Sequence, residues 1–234
     1  MTENARLLLI SNSTLYGSGY LDYAEGEIRD FLAGVRHVLL VPYALHDRDA
    51  YASKVAERFA SMGLRVGSVH KAPNSRVAVE SAEAVFVGGG NTFRLLKTLY
   101  DQNLLDPIRR RVEEGSLRYM GASAGSNVAC PTIRTTNDMP IVEPPSLKAL
   151  GLVRFQINPH YLDPDPNSTL MAETREERLL QFLEENETPV VALREGAMLR
   201  VEQGRVMLKG VAGARIFRRG EYPAEFSPGS QLQL

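Results

Sequence analysis

Residues 117–130 read LRYMGASAGSNVAC, an apolar run that shrinks to small residues and then continues in helix-compatible ones. Gly-x-Ser-x-Gly between a strand and a helix is the nucleophile-elbow pattern, a sharp turn that lifts a serine hydroxyl, here Ser123, off the C-terminal edge of a sheet. The flanking glycines, Gly121 and Gly125, matter because such a turn leaves no room for a β-carbon. The same five residues also suit a close-packed turn, so the rest of the chain has to supply a base, an orienting acid and an oxyanion site.

Working outward, short apolar runs recur as RLLLIS (6–11), HVLLVPY (37–43), LRVGSVH (64–70), EAVFVGGG (83–90) and PVVALREG (189–196). Their hydrophobicity is continuous rather than alternating, as in strands covered on both faces. Between them lie helical stripes, Leu21-Ala24-Ile28-Phe31 and Tyr51-Val55-Phe59-Met62. Thr174 stands three residues before Glu177, a capping-box pattern that predicts a helix start. The alternation predicts an α/β fold with a doubly wound, mostly parallel sheet and helices on both faces, in one domain over residues 1–234. AMLRVEQGRVMLKG (197–210) reads as a C-terminal antiparallel hairpin around EQG, added at the sheet edge. The stretch 130–151 carries four prolines and is a long irregular loop, a kind of segment that is more often functional than idle.

Composition narrows the partners. The 234 residues are 44% hydrophobic and 24% charged, with 27 Lys and Arg against 28 Asp and Glu. No block of one sign appears, so neither nucleic acid nor a membrane surface is an expected partner. The N-terminal apolar run is short and lacks a basic leader, so no signal peptide is expected. Cys130 is the single cysteine, which leaves no internal disulfide and no cysteine metal cluster, and fits a cytoplasmic protein. No cofactor or metal is implied.

A serine needs a base, and four histidines are available. His37 precedes a strand and so sits at the wrong edge; His46 and His70 are not excluded by position. His160, in QINPHYLDP after the apolar VRFQI, is placed in a Pro-flanked loop at a C-terminal strand edge and is the best base. Asp163 and Asp165 beside it make a poor metal site, because no second histidine is near. The orienting carboxylate is Glu195, which leaves the end of a buried strand, with Asp163 as runner-up. VGGGNTFRLL ends a strand in glycines and starts a helix, so the Gly90 and Ala124 amides can form an oxyanion hole. That glycine loop also suits a bound phosphate, although it matches neither a P-loop nor a dinucleotide fingerprint.

Together SNSTLYG, VGGGNTF, GASAGSN, CPTIRTTNDMPIV, INPHY and ETREER resemble the peptidase E, or α-aspartyl dipeptidase, family, in its order and over Leu7 to about Gly196. The resemblance implies a sheet like that of the class I glutamine amidotransferases and a serine peptidase that removes an N-terminal aspartate from dipeptides. It implies Ser123 as nucleophile, His160 as base, Glu195 as third member and Gly90 in the oxyanion hole. Ala122 stands where many members carry a bulky residue, and Ser126 where alanine is common; both are expected to alter the pocket. The order Ser, His, Glu differs from that of the α/β-hydrolases and argues against an esterase.

An aspartyl side chain calls for an arginine fork. Arg175 is the first choice, because a cation in the first turn of a helix opposes the macrodipole; the bland alternative pairs it with Glu176 or Glu177. Arg134 and, more weakly, Arg194 follow. Asn91, Thr135, Thr136 and Asp138 are candidate polar lining, with Asp138 or Glu143 on the free α-amine. The loop from Pro131 to about Pro145 is expected to close over the site. The expected partner is a small Asp-X peptide, and a homodimer is left open. A β-aspartyl hydrolase and a non-catalytic anion sensor are the competing readings.

Overall fold

Leu7–Ile10 (β1) is an unbroken aliphatic run whose four side chains are all fully buried, which only a central strand with cover on both faces allows. In this computed structural model, which describes residues 2–165, 167, 169 and 171–234, β1 sits in the middle of an eight-stranded sheet. The first part of the chain runs α1 (Glu25–Phe31), β2 (His37–Val41), α2 (Arg48–Ala60), β3 (Arg65–Ser68), α3 (Ser75–Ser81) and β4 (Ala84–Val87). There follow α4 (Thr92–Asp101), α5 (Leu105–Glu113), β5 (Arg118–Ala122) and the short α6 (Ala124–Asn127). After the long loop come β6 (Gln156–Tyr161), α7 (Arg175–Glu185) and β7 (Val190–Arg194). Five more strands close the chain, namely β8 (Ala197–Glu202), β9 (Arg205–Gly210), β10 (Ala214–Phe217), β11 (Ala224–Phe226) and β12 (Gln231–Leu232).

Strand order in the large sheet is β12-β9-β8-β1-β5-β4-β2-β3. From β1 to β3 every pairing is parallel. The hairpin predicted around EQG is β8 and β9, antiparallel to each other, with β8 lying antiparallel beside β1. Side chains alternate between two cores. Leu7, Leu9, Val41, Val85, Val87 and Tyr119 pack with α4 and α5 on one face. Leu8, Ile10, Leu40, Phe86, Met120 and Ala122 pack with α1 and α2 on the other. The doubly wound reading therefore holds.

A second sheet, order β11-β10-β7-β6, is where the structure goes beyond the sequence reading. PVVALREG joins this sheet, with β6 parallel and β10 antiparallel to β7. The chain passes from one sheet to the other at Glu195-Gly196, between β7 and β8. Val191, Leu193, Ala214 and Ile216 of the small sheet share a core with Leu7 and Leu9 of the large one. The capping box forms as expected, with Thr174 and Glu177 exchanging backbone N–H bonds at the start of α7. Val69–Lys71 is a single 3-10 turn, so His70 lies past β3 and not on it. Among the described residues no helix is long and apolar enough to cross a membrane.

Cys130 is fully buried; its sulfur accepts the Ile157 N–H at 3.2 Å, and burial pushes the thiol well above its ordinary pKa. A thiol kept neutral and inaccessible is unreactive. Ellman's reagent should leave the native protein unmodified at neutral pH and titrate one thiol per chain in guanidinium; rapid reaction of the native form would contradict this packing.

Candidate active site

Parallel strands β4 and β5 end side by side at Gly88-Gly89-Gly90 and at the elbow. Ser123 has φ 52° and ψ −110°, a conformation sparsely populated by residues with a side chain and worth about 1–3 kcal/mol of strain. The turn is held by contacts that only glycine permits. A β-carbon on Gly125 would overlap the Val87 carbonyl oxygen, and one on Gly121 would lie 2.5 Å from the Gly125 oxygen. The Ser123 N–H donates to Ile10 O at 2.9 Å, and Ser126 Oγ donates to Ile10 O at 2.7 Å and Gly121 O at 3.0 Å.

His160 belongs to β6 and not to a loop, at an irregularity where the β6–β7 register shifts between Asn158 and Tyr161. It too has a positive φ, 54°. Ser11 Oγ accepts the His160 N–H at 2.9 Å and donates to Leu193 O at 2.9 Å, pinning the irregularity to β7. His160 Nε2 lies 2.8 Å from Ser123 Oγ, and its Nδ1 lies 2.8 Å from Glu195 Oε1. An ionised carboxylate only accepts, so Nδ1 carries the ring proton and Nε2 is left to accept from the serine hydroxyl. Glu195 is fixed through its neighbour: Asn12 Oδ1 accepts the Gly196 N–H at 2.8 Å and the Tyr23 hydroxyl at 3.0 Å.

The structure thus brings Ser123, His160 and Glu195 into one chain of contacts. Asp163 is not on that chain; its carboxylate takes Arg194 Nε at 2.6 Å and Nη2 at 2.8 Å, which holds it below the usual carboxylate range. Arg194 also pairs with Glu225, so it has no fork to offer a substrate. Ala124 opens α6, where its N–H has no helical partner. Gly90 has φ 134°, and a β-carbon there would lie 2.6 Å from Ala44 O. Gly89 approaches the nucleophile more closely, since its β-carbon would sit 3.2 Å from Ser123 Cβ.

Ser123 and His160 open into a cavity of about 700 Å³ lined also by Ser13, Tyr20, His46, Lys54, Gly90 and Asp138. Asp138 Oδ2 accepts from Thr92 N at 2.8 Å and Thr92 Oγ1 at 2.6 Å, at the N-terminus of α4. Among the described residues its Oδ1 has no partner. The remaining predicted residues fall elsewhere. Asn91 caps α4 by accepting the Arg94 N–H and donates to Met139 O at 2.9 Å, so it braces the wall and does not line the cavity. Arg134 is exposed and reaches Asn186 Oδ1 at 3.4 Å, away from Ser123. Thr135 is buried beneath the wall on Ile157 O, Thr136 bonds Thr92 Oγ1, and Glu143 is exposed.

Arg175 starts α7 on a neighbouring cleft of about 420 Å³ and does not line the Ser123 cavity. Its pairing with Glu176 or Glu177 does not occur, because Glu176 takes Arg215 and Glu177 closes the capping box. Burial lowers its pKa, the neighbouring Arg178 lowers it further, and the charge of Asp138 raises it. Two expectations about shape also change. The 131–145 loop is tied to the body by Asn137 Nδ2 on Pro159 O, Asn158 Nδ2 on Thr135 O, and Asp138 on Thr92, so it is a wall rather than a lid. Ala122 is fully buried in the core facing α2, which it shares with Tyr51, and Ser126 serves the elbow; neither lines the cavity directly. Sequence reasoning missed Ser11, Asn12 and Lys54; its only signal for the first two was a polar pair directly after a buried strand. Among the described residues no group of three or more His, Cys, Asp or Glu is arranged to hold a metal.

Comparison with known proteins shows the family and the fold. The family model described as "Peptidase family S51" matches residues 7–209. The chain is 55% identical over 226 residues to "Peptidase E" of Streptomyces coelicolor, covering 97% of this chain and 93% of that one. It is 46% identical over 234 residues to "Probable alpha-aspartyl dipeptidase" of Drosophila melanogaster, covering 99% and 98%. In fold it is similar to the crystal structure of a peptidase from an acI-B1 Actinobacterium, with a TM-score of 0.71 at 15% identity, covering 100% and 99%.

Replacing Ser11 by Ala orphans the Leu193 carbonyl and the His160 amide in a buried place. Urea denaturation of Ser11→Ala should show a loss of about 1–3 kcal/mol, against less than about 0.5 kcal/mol for Arg134→Ala. Equal losses would mean that the His160 irregularity does not depend on the hydroxyl.

Proposed function

This chain belongs to peptidase family S51, and from that premise we propose that it is a serine dipeptidase hydrolysing the bond after an N-terminal aspartate through an acyl-enzyme on Ser123. The names of its relatives, peptidase E and α-aspartyl dipeptidase, support the activity and the substrate. The observation that carries the mechanism is the Ser123–His160–Glu195 chain, with both links at 2.8 Å.

Ser123 Oγ attacks the scissile carbonyl while His160 Nε2 takes its proton. Glu195 holds the tautomer and stabilises the imidazolium, and the Gly90 and Ala124 amides receive the developing oxyanion. His160 then protonates the leaving amine, and water, deprotonated by the same imidazole, releases aspartate. The Glu195 side chain is 48% exposed, so water can replace part of its role. Its removal should therefore cost less than removal of Ser123.

Asp138, anchored by Oδ2 and open at Oδ1, is assigned to the substrate ammonium. Arg175 is assigned to the aspartyl carboxylate, because it lacks an ion pair among the described residues and lies within range of the Asp138 charge. A cytoplasmic location belongs to the same proposal and rests on the single, unpaired cysteine.

Hydrolysis of Asp-Leu should fall roughly 10⁴-fold or more in Ser123→Ala with the circular dichroism spectrum retained. Full residual turnover would falsify the serine mechanism. On a panel of Asp-Leu, Asn-Leu, Glu-Leu and β-Asp-Leu, the enzyme should favour Asp-Leu, and a preference for β-Asp-Leu would move it to isoaspartyl linkages. Arg175→Met should lower the Asp-Leu to Asn-Leu ratio of kcat/KM by about tenfold or more, the worth of one charge-assisted hydrogen bond. An unchanged ratio would free Arg175 from that role.

A further inference from the structure

Helix α2 presents Asp47, Ala50, Tyr51 and Lys54 to the Ser123 cavity, the spacing of one helical face from its N-cap through its second turn. Among the described residues Lys54 is the one lysine or arginine lining that cavity. Its ammonium stands 4.6 Å above the centre of the Tyr20 ring. That ring is held edge-on to Tyr51, with their hydroxyls 3.0 Å apart. A cation over an aromatic face is positioned without being neutralised. Lys71 and Lys97 on the surface have carboxylates, Asp49 and Asp101, both at 2.7 Å, whereas Lys148, which does not line the cavity, has no ion pair among the described residues. Among the described residues Lys54 has no carboxylate within ion-pair distance. The same cavity therefore holds an anion with a free oxygen, Asp138, and a cation without a partner, Lys54, that do not meet each other.

A dipeptide is a zwitterion with an ammonium at one end and a carboxylate at the other. Its terminal carboxylate lies about one residue, roughly 3.5 Å of chain, beyond the scissile bond. Lys54 is exposed, at the mouth of the cavity rather than its floor, where the leaving residue would emerge. We propose that the Lys54 ammonium, steadied over Tyr20, binds the C-terminal carboxylate of the leaving residue and so makes a free dipeptide the preferred substrate. The inference rests on the dipeptidase reading above. It gives Lys54 a carboxylate different from the one assigned to Arg175.

Steady-state kinetics on Asp-Leu and Asp-Leu-amide test it, with wild type, Lys54→Met and Lys54→Arg. Lys54→Met should raise KM for Asp-Leu about tenfold or more with kcat changed less than about twofold, and lower the Asp-Leu to Asp-Leu-amide ratio of kcat/KM by the same factor. Lys54→Arg should keep most of that ratio, which a purely structural role would not require. An equal loss on both substrates, or no loss on Asp-Leu, overturns the proposal while leaving the dipeptidase reading intact. A wild-type enzyme that cleaves neither substrate removes that reading, and this inference with it.

Discussion

Three consecutive residues at the end of β1 couple the two sheets, and the site exists only because of that coupling. Ile10 O receives the Ser123 N–H and the Ser126 hydroxyl from the large sheet's elbow. Ser11 reaches the small sheet, bonding Leu193 O and the His160 N–H. Asn12 holds the Gly196 N–H beside Glu195. The nucleophile thus comes from one sheet and the base from the other, and the 2.8 Å between them is set by the junction. A buried hydrogen bond adds only about 1 kcal/mol net, but leaving its partners unpaired costs about 1–3 kcal/mol. That asymmetry keeps both Ser123 and His160 at positive φ, which each resists by a similar amount.

What the sequence revealed was what local sterics and periodicity control. The elbow is legible because its glycines face carbonyl oxygens that no side chain could approach. The hairpin around EQG is legible because a two-residue turn sets its own register. The second sheet was not, since β7 is as apolar as the first sheet's strands, β6 (QINPHY) is buried although half polar, and burial alone does not say which sheet a strand joins. His160 read as a loop residue because Pro159 precedes it. Proline cannot donate to a ladder, yet β6 is the edge of the small sheet, where that loss is tolerated.

Strand parity would have placed Ala122 without a structure. Tyr119 points to the α4 face, Met120 to the α2 face, and Ala122 two residues on must follow Met120 into the core. The arginines are the opposite case. Arg194 is committed by Asp163 and Glu225, each 31 residues away in the chain. Arg134 ends against Asn186, 52 residues off. No local pattern carries such pairings, so the choice among arginines depended on which carboxylates the fold had already used.

With the 131–145 segment tied to α4 and β6, a closing loop no longer accounts for a limit on substrate length. Charge placement can. Separated, unpaired charges in one cavity are hydrated when it is empty, and a ligand must offer matching charges at the same spacing to repay their desolvation. A dipeptide does this at both ends, whereas a longer peptide puts a neutral amide beside the Lys54 ammonium and leaves it uncompensated. Length is then read electrostatically, at the wall that α2 provides, and the cavity can stay open to solvent while it is read.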